Sequence, residues 1–261
     1  MRTVNSEDQR GVLAYECAKG MTTRRESEMK IQGMSWSRFG AGMIAALFAI
    51  AAVVVAGPPL ICHAFDIGNA KSLPWVSHDW NLSGGENYNT AKLADDTIAI
   101  LEGSPKATLV HMETLRRATL YARKDSQAAK QLLARLMARA EAAQNAKNPD
   151  ALAIFDAGYL AESYKQWLGE GGQNPANGLD GYAQVKRALQ LGGNDAEMEF
   201  AAALITLRGP EAEQREHAAR AIAGAKTDEL LARNLNSHFL GQSQTMAEMI
   251  TGSAETKVAR Q

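Results

Sequence analysis

The sequence predicts an all-α protein. Capping residues stand at almost every helix start, glycines close several of the segments, and no stretch reads as a convincing strand. The connections are short, so neighbouring helices are expected to run antiparallel.

The first helix is expected over residues 90–102, stopping at Gly103. Ser104 and Pro105 cap and open the second, which runs to Lys124, and Asp125 with Ser126 caps the third. Asn148 and Pro149 begin the fourth, which reaches Leu168 and organises the rest. Leu152, Phe155 and Tyr159 fall on one side of it, and Ile154, Ala157, Ala161, Tyr164 and Leu168 on the other. A helix apolar on both sides is packed on both sides, which places it in the middle of the domain. A glycine-rich loop follows over residues 169–179. Asp180 caps the fifth helix, closed by Gly192 and Gly193, and Asn194 caps the sixth, closed by Gly209. Pro210 opens the seventh and Thr227 caps the eighth. Residues 241–261 lose both period and bulk and are expected to form a flexible tail.

The helices opening near Pro105, Pro149 and Asp195 start 44 and 46 residues apart. Small and aliphatic residues recur in each pair: Ala118, Tyr121, Ala129, Leu133 and Ala138 in the first, Gly158, Val185, Ala188 and Leu191 in the second, and Ala202, Ala203, Ala221, Ile222 and Ala223 in the third. Gly158 is expected at a close helix contact. Over residues 90–240 the pattern resembles a divergent tetratricopeptide-repeat array. The resemblance implies TPR-like helical hairpins stacked in a right-handed superhelix whose groove holds a peptide or protein. Two departures stand against it: the eleven-residue loop over 169–179 lengthens the second hairpin, and Gly193 stands where proline is usual. A compact helical bundle uses the same residue types and is the alternative architecture.

The N-terminal part reads as a leader. Residues 39–56 carry no charge, follow Lys30 and Arg38, and precede Gly57-Pro58-Pro59. With Cys62 and Ala64 at the third-last and last positions, residues 34–64 are expected to be a signal peptide cut before Phe65. The alternative is an uncleaved anchor, since eighteen uncharged residues can span a bilayer. Met29 or Met34 would each give a leader of ordinary length, so residues 1–33 are expected to be dispensable. Residues 65–89 are expected to form an extended arm. Phe65, Trp75, Trp80 and Tyr88 lie over the helices there, or Trp75 and Trp80 line a ligand groove. Helices over 90–240 then form one domain of an exported protein, periplasmic or extracellular.

Cleavage before Phe65 leaves 197 of the 261 residues, enough for one core, and removes both cysteines, Cys17 and Cys62. No disulfide, thiol nucleophile or thiolate metal site would remain. Residues 104–147 hold nine basic and three acidic side chains, whereas residues 148–229 hold seven and thirteen. The opposed halves are expected to meet within one molecule or to drive self-association. Neither is a dense single-sign block, which argues against nucleic acid as a partner.

No zinc-protease, haem-attachment, nucleophile-elbow or phosphate-loop motif occurs, so no metal and no cofactor is expected. The leading catalytic candidate is His111, which falls among Leu115, Ala118 and Ala122 on its helix, with Glu113 and Arg117 nearby. The bland reading is a core histidine held by hydrogen bonds. Arg116, Arg117, Arg135 and Arg139, with Trp75 and Trp80, are the candidate partner contacts, against the alternative that the arginines lie on solvated faces. Asp156 and Glu162 sit on the doubly packed helix and therefore need partners, such as arginines of the preceding hairpin. The leading expectation is a non-enzymatic exported module that binds a protein or peptide. The rival is an exported enzyme or small-ligand binder built around His111.

Overall fold

A computed structural model of the chain describes residues 59–76, 85, 87–169, 174–193 and 195–239. The tail over 241–261, Trp80 and residues 1–58 lie outside the described residues. The described part is all-α: α1 Leu93–Gly103, α2 Thr108–Ala122, α3 Ser126–Asn145, α4 Ala151–Trp167, α5 Gly181–Gly192, α6 Ala196–Ile205, α7 Glu211–Gly224 and α8 Glu229–Phe239. Short 3-10 turns precede α1 and follow α6. Among the described residues no helix is long and apolar enough to cross a membrane.

Four of the expected caps move one or more positions along the chain. Asp150, Asp195 and Asp228 take the roles expected of Asn148, Asn194 and Thr227, each accepting backbone N–H bonds from the first helical turn. In each case a carboxylate was available slightly further on, and its charge adds a favourable interaction with the helix dipole to the hydrogen bond. The fourth shift is different. Ser104 and Pro105 do not start α2, which begins at Thr108 with no side-chain cap of its own. Its N-terminus is served from another helix: Leu109 N–H donates to Glu197 Oε2 at 3.0 Å, and the Thr108 hydroxyl donates to Asp195 Oδ2 at 3.1 Å.

The central position expected of α4 holds. It packs against α3 on one side and α5 on the other, with further contacts to α2 and α6. Phe155, Tyr159 and Tyr164 are fully buried along it. Gly158 makes the close contact expected of it. A Cβ there would lie 2.5 Å from the Gly181 carbonyl oxygen and 3.0 Å from Val185 N, and a Cβ on Gly181 would lie 2.5 Å from the Gly158 carbonyl oxygen. The backbones of α4 and α5 therefore touch at two facing glycines. The pairing of α2 with α3 is slight, because α2 packs on α1 and α4 instead, and its first turn reaches α6.

The arginine-bearing face of α2 is not solvated. Every residue of α2 except Arg117 is buried, and Glu113 and Arg116 have no exposed surface at all. The cover is the arm, which begins earlier than Phe65: Leu60, Ile61 and Cys62 are buried with it, and Cys62 is not a free thiol. Glu113 Oε2 accepts from Phe65 N–H, Arg116 Nε donates to the Ile61 carbonyl, and Arg117 Nη1 donates to the Leu73 carbonyl. Further along, the Tyr121 hydroxyl donates to the Pro74 carbonyl and accepts from Gly85 N–H, with the Trp75 ring edge-on to it at 5.8 Å. At its other end the arm reaches α8. Asn234 exchanges two hydrogen bonds with the backbone of Asp66, and Phe65 stacks on His238 at 4.6 Å. Trp75 thus belongs to the arm that lies over the helices.

Two outcomes check this packing. Gly158→Leu forces the α4 and α5 backbones apart and is expected to cost about 3 kcal/mol, lowering the melting temperature by roughly 6–12 °C. Gly103→Ala, whose Cβ meets nothing within 4 Å, is expected to leave it unchanged. The second concerns Glu197, whose carboxyl is pushed up to about 7 by burial and by neighbouring Asp195 and Asp228, against the Leu109 N–H bond. Because the folded state holds this proton more tightly than the unfolded chain, Glu197 becomes a liability as pH rises from its ordinary value of 4.5 towards 7. Glu197→Gln keeps an acceptor for Leu109 N–H without the charge. Its melting temperature is expected to match the wild type near pH 4.5 and to exceed it by a few degrees at pH 8.

Candidate functional site

The ends of α1 and α4 leave a gap where they meet α2 and α3. The cavity there has a volume of about 170 Å³ and is lined by the side of α1 (Leu101, Glu102), the turn at Pro105, His111 of α2, Arg139 of α3 and the first turns of α4. Asp150 spends one oxygen capping α4, and the turn over 104–107 swings the chain from α1 into α2 rather than continuing a helix.

His111 forms one wall and is almost fully buried. Its Nδ1 lies 2.7 Å from Asp156 Oδ1, and its Nε2 lies 3.0 Å from the Ser104 carbonyl oxygen. A carbonyl only accepts, so Nε2 carries a hydrogen and donates it. At 2.7 Å a second hydrogen must lie between Nδ1 and Asp156. Burial alone would pull the imidazole down, but the Asp156 charge and hydrogen bond and the Ser104 carbonyl outweigh it and raise His111 above its ordinary value. Total burial pushes the Asp156 carboxyl up against the opposing pull of His111 and Arg139. Both directions describe one fact: the pair holds on to its shared proton.

The other Asp156 oxygen is the unusual atom. Oδ2 is buried and receives no hydrogen bond, and Arg139 Nη1 stands 3.8 Å away, itself without an acceptor. Arg139 Nε lies 3.6 Å from Glu102 at the exposed rim. The cavity therefore presents one unsatisfied acceptor and one unsatisfied donor side by side.

The sequence candidates separate clearly. His111 lines the cavity together with Arg139, which sequence reasoning had placed only among partner contacts. Glu113 and Arg117 turn the other way, into the arm clasp, where Arg117 Nε donates to Glu113 Oε1 at 2.7 Å. Arg116 is buried in the same clasp and is no surface contact for a partner. Arg135 pairs with Asp95 of α1. Asp156, expected to need an arginine of the preceding hairpin, is hydrogen-bonded by His111 instead, and Arg139 of the preceding helix stands 3.8 Å away as a counter-charge that makes no hydrogen bond to it. Glu162 accepts instead from Tyr182 N–H at the start of α5 and from Lys165.

A second constellation, which nothing in the sequence announces, joins α5, α6 and α7. His217 Nδ1 lies 2.5 Å from Glu199 Oε2, and its Nε2 lies 2.6 Å from the Tyr182 hydroxyl, which donates to Glu213 at 2.8 Å. Arg220 Nε also donates to Glu199. Glu199 and the two α7 residues, His217 and Arg220, come together only when α6 and α7 pack, and nothing in their spacing announces it. Burial and then Glu213 raise the Tyr182 phenol well above its ordinary value, so it stays protonated and cannot act as a nucleophile at neutral pH. The burial that would raise Glu199 is outweighed by hydrogen bonds from His217 and Arg220, which hold it as a carboxylate. This network ties α5, α6 and α7 together. Among the described residues no cluster of His, Cys, Asp and Glu has the arrangement of a metal site.

Compared with protein-family models, curated proteins and solved structures, the chain matches none.

Removing His111 leaves Asp156 buried with only the more distant Arg139 as counter-charge. His111→Ala is expected to lose about 3–5 kcal/mol in urea denaturation at pH 6. The folded pKa of His111 is raised, so its contribution is complete below its ordinary value of 6.5 and fades as pH climbs through the folded value. The deficit of the variant is therefore expected to narrow towards pH 9.

Proposed function

We propose that this chain is an exported helical domain that binds a small polar ligand in the cavity between His111, Arg139 and Asp156. One observation carries the reading: Asp156 Oδ2 is buried without a donor beside an Arg139 Nη1 without an acceptor. An unmade hydrogen bond at a buried polar atom costs about 1–3 kcal/mol, and more when the group is charged. Two such atoms on one cavity wall are relieved together by a group that both donates and accepts. A hydroxyl or a carboxamide does this; an ammonium leaves Arg139 unmatched, and a carboxylate leaves Asp156 unmatched. The volume sets the size. It holds roughly five waters at about 30 Å³ each, well below a drug-sized site, so the ligand or the inserted part of it has few non-hydrogen atoms.

Binding is favoured over catalysis. The lining contains no hydroxyl or thiol side chain, and both His111 nitrogens are engaged. Binding is favoured over docking of a protein or peptide as well. Of the four arginines expected at such a surface, Arg116 is buried, Arg135 is paired and Arg139 turns to the cavity, while Val76 is the exposed large apolar side chain among the described residues. For the architecture we take the compact bundle over the superhelix. The α2–α6 contacts and the arm running from α2 to α8 draw together elements that a stacked array keeps apart. Export rests on the sequence of the leader.

Titrating the isotopically labelled chain with acetamide, glycerol, ethylammonium and acetate tests the reading by NMR. Acetamide and glycerol are expected to shift the amide signals of Leu152 and Ala153 in the millimolar range, and the two ions to leave them in place. Arg139→Met is expected to weaken the acetamide response about tenfold or more, the loss of one charge-assisted hydrogen bond. Silence from all four probes, or an undiminished response in the variant, would overturn the proposal.

A further inference from the structure

The cavity beside His111 is lined by more acid than its innermost pair accounts for. His111 and Asp156 share a proton and are neutral as a unit. Three charged side chains of the lining remain: Glu102 of α1, Arg139 of α3 and Asp150 at the start of α4. Two carboxylates therefore stand against one guanidinium. Lys106 follows Pro105 in the chain but is exposed and is not part of the lining.

The two extra carboxylates differ from Asp156 in where they stand. Both are exposed, so they form the edge of the cavity and not its floor. Glu102 lies 3.6 Å from Arg139 Nε, beyond hydrogen-bond range. Asp150 Oδ1 accepts both N–H groups of the first turn of α4, and Oδ2 makes no hydrogen bond among the described residues. One acid from each of two helices is thus left with acceptor capacity at the rim. Below them lies the buried Asp156 Oδ2, which also has no donor.

We propose that the ligand is a small amine, an α-amino amide or a β-amino alcohol, whose carboxamide or hydroxyl enters the cavity and whose ammonium is held at the rim by Glu102 and Asp150. The inference rests on the small-ligand reading of the cavity and adds a second point of recognition to it. The inner group meets Asp156 Oδ2 and Arg139 Nη1, and the ammonium neutralises the surplus negative charge of the edge. An exposed carboxylate attracts a cation only weakly, so the rim strengthens the hold on a ligand already seated and does not retain a bare ammonium. An anion in the same position would face two carboxylates. The cavity of about 170 Å³ takes a molecule of roughly five non-hydrogen atoms.

Glycinamide and propionamide test this as a pair, because they have the same number of non-hydrogen atoms and differ by an ammonium in place of a methyl group. Both are titrated into the labelled chain at about pH 6, where the amine is protonated, with the Leu152 and Ala153 amide signals as the readout. Glycinamide is expected to bind about fivefold more tightly at low ionic strength, and added sodium chloride is expected to shrink the ratio. Glu102→Gln removes one rim charge, and Asp150→Asn removes the other while keeping a good capping residue for α4. Each is expected to narrow the ratio of the two affinities. Propionamide binding as tightly as glycinamide would overturn the rim and leave the cavity reading standing, whereas silence from both amides would overturn the cavity reading and the rim with it. A full preference for glycinamide in both variants would also overturn the assignment to Glu102 and Asp150.

Discussion

The structure depends on a carboxylate with no access to water. Glu113 is buried on α2 and holds three partners at once: Arg116, Arg117 and the backbone N–H of Phe65. A buried charge is tolerable only when its surroundings satisfy it, and here the satisfaction is mutual. The two guanidiniums it anchors extend to the carbonyls of Ile61 and Leu73, which fixes the arm against α2 at two points twelve residues apart. Without the arm, one face of α2 would carry a carboxylate and a buried guanidinium into nothing. Without that face, the arm would keep its ties to α8 at Asp66 and Phe65 but lose the donors for the Ile61 and Leu73 carbonyls.

Charges are also what divide the two sides of α2. Towards the arm they are fully matched. Towards α4 they are matched only in part, since the shared proton of His111 and Asp156 completes one oxygen of the carboxylate and leaves the other incomplete. The same helix thus carries a finished polar network, at Glu113, Arg116 and Arg117, and an unfinished one at His111, two residues before Glu113 and on the other side of the helix. The unfinished one opens onto a cavity, and that contrast gives the cavity its meaning.

Much of the fold was legible from the sequence because helices announce themselves by local chemistry. Asp125 and Asp180 cap where expected, Gly193 ends α5 at positive φ, and the apolar girth of α4 placed it at the centre. What was hidden depended on partners distant in the chain. The wheel of α2 gathers its charges on one arc, and an arc of charge reads as solvated until a covering segment is known. That cover came from Ile61 and Leu73 through backbone carbonyls, which leave no mark in a sequence. His111 was singled out for its place among apolar neighbours, and its partner Asp156 was expected to need a cation. Their meeting required the α2–α4 packing that neither segment encodes alone. The Glu199–His217–Tyr182 network was invisible for the same reason.

The clasp between Asp66 and Asn234 has a consequence for how the chain is made. The two residues are 168 positions apart, so the arm leaves the ribosome long before α8 exists. At roughly 5–20 residues per second, the interval is on the order of ten seconds or more. The ties from Ile61 and Leu73 to α2 can close early, but the end of the arm that carries Phe65 waits for the last helix. The nascent domain therefore spends most of its synthesis with one aromatic side chain and one helix-facing backbone segment uncovered. Its completion is a single late event that joins the beginning of the domain to its end.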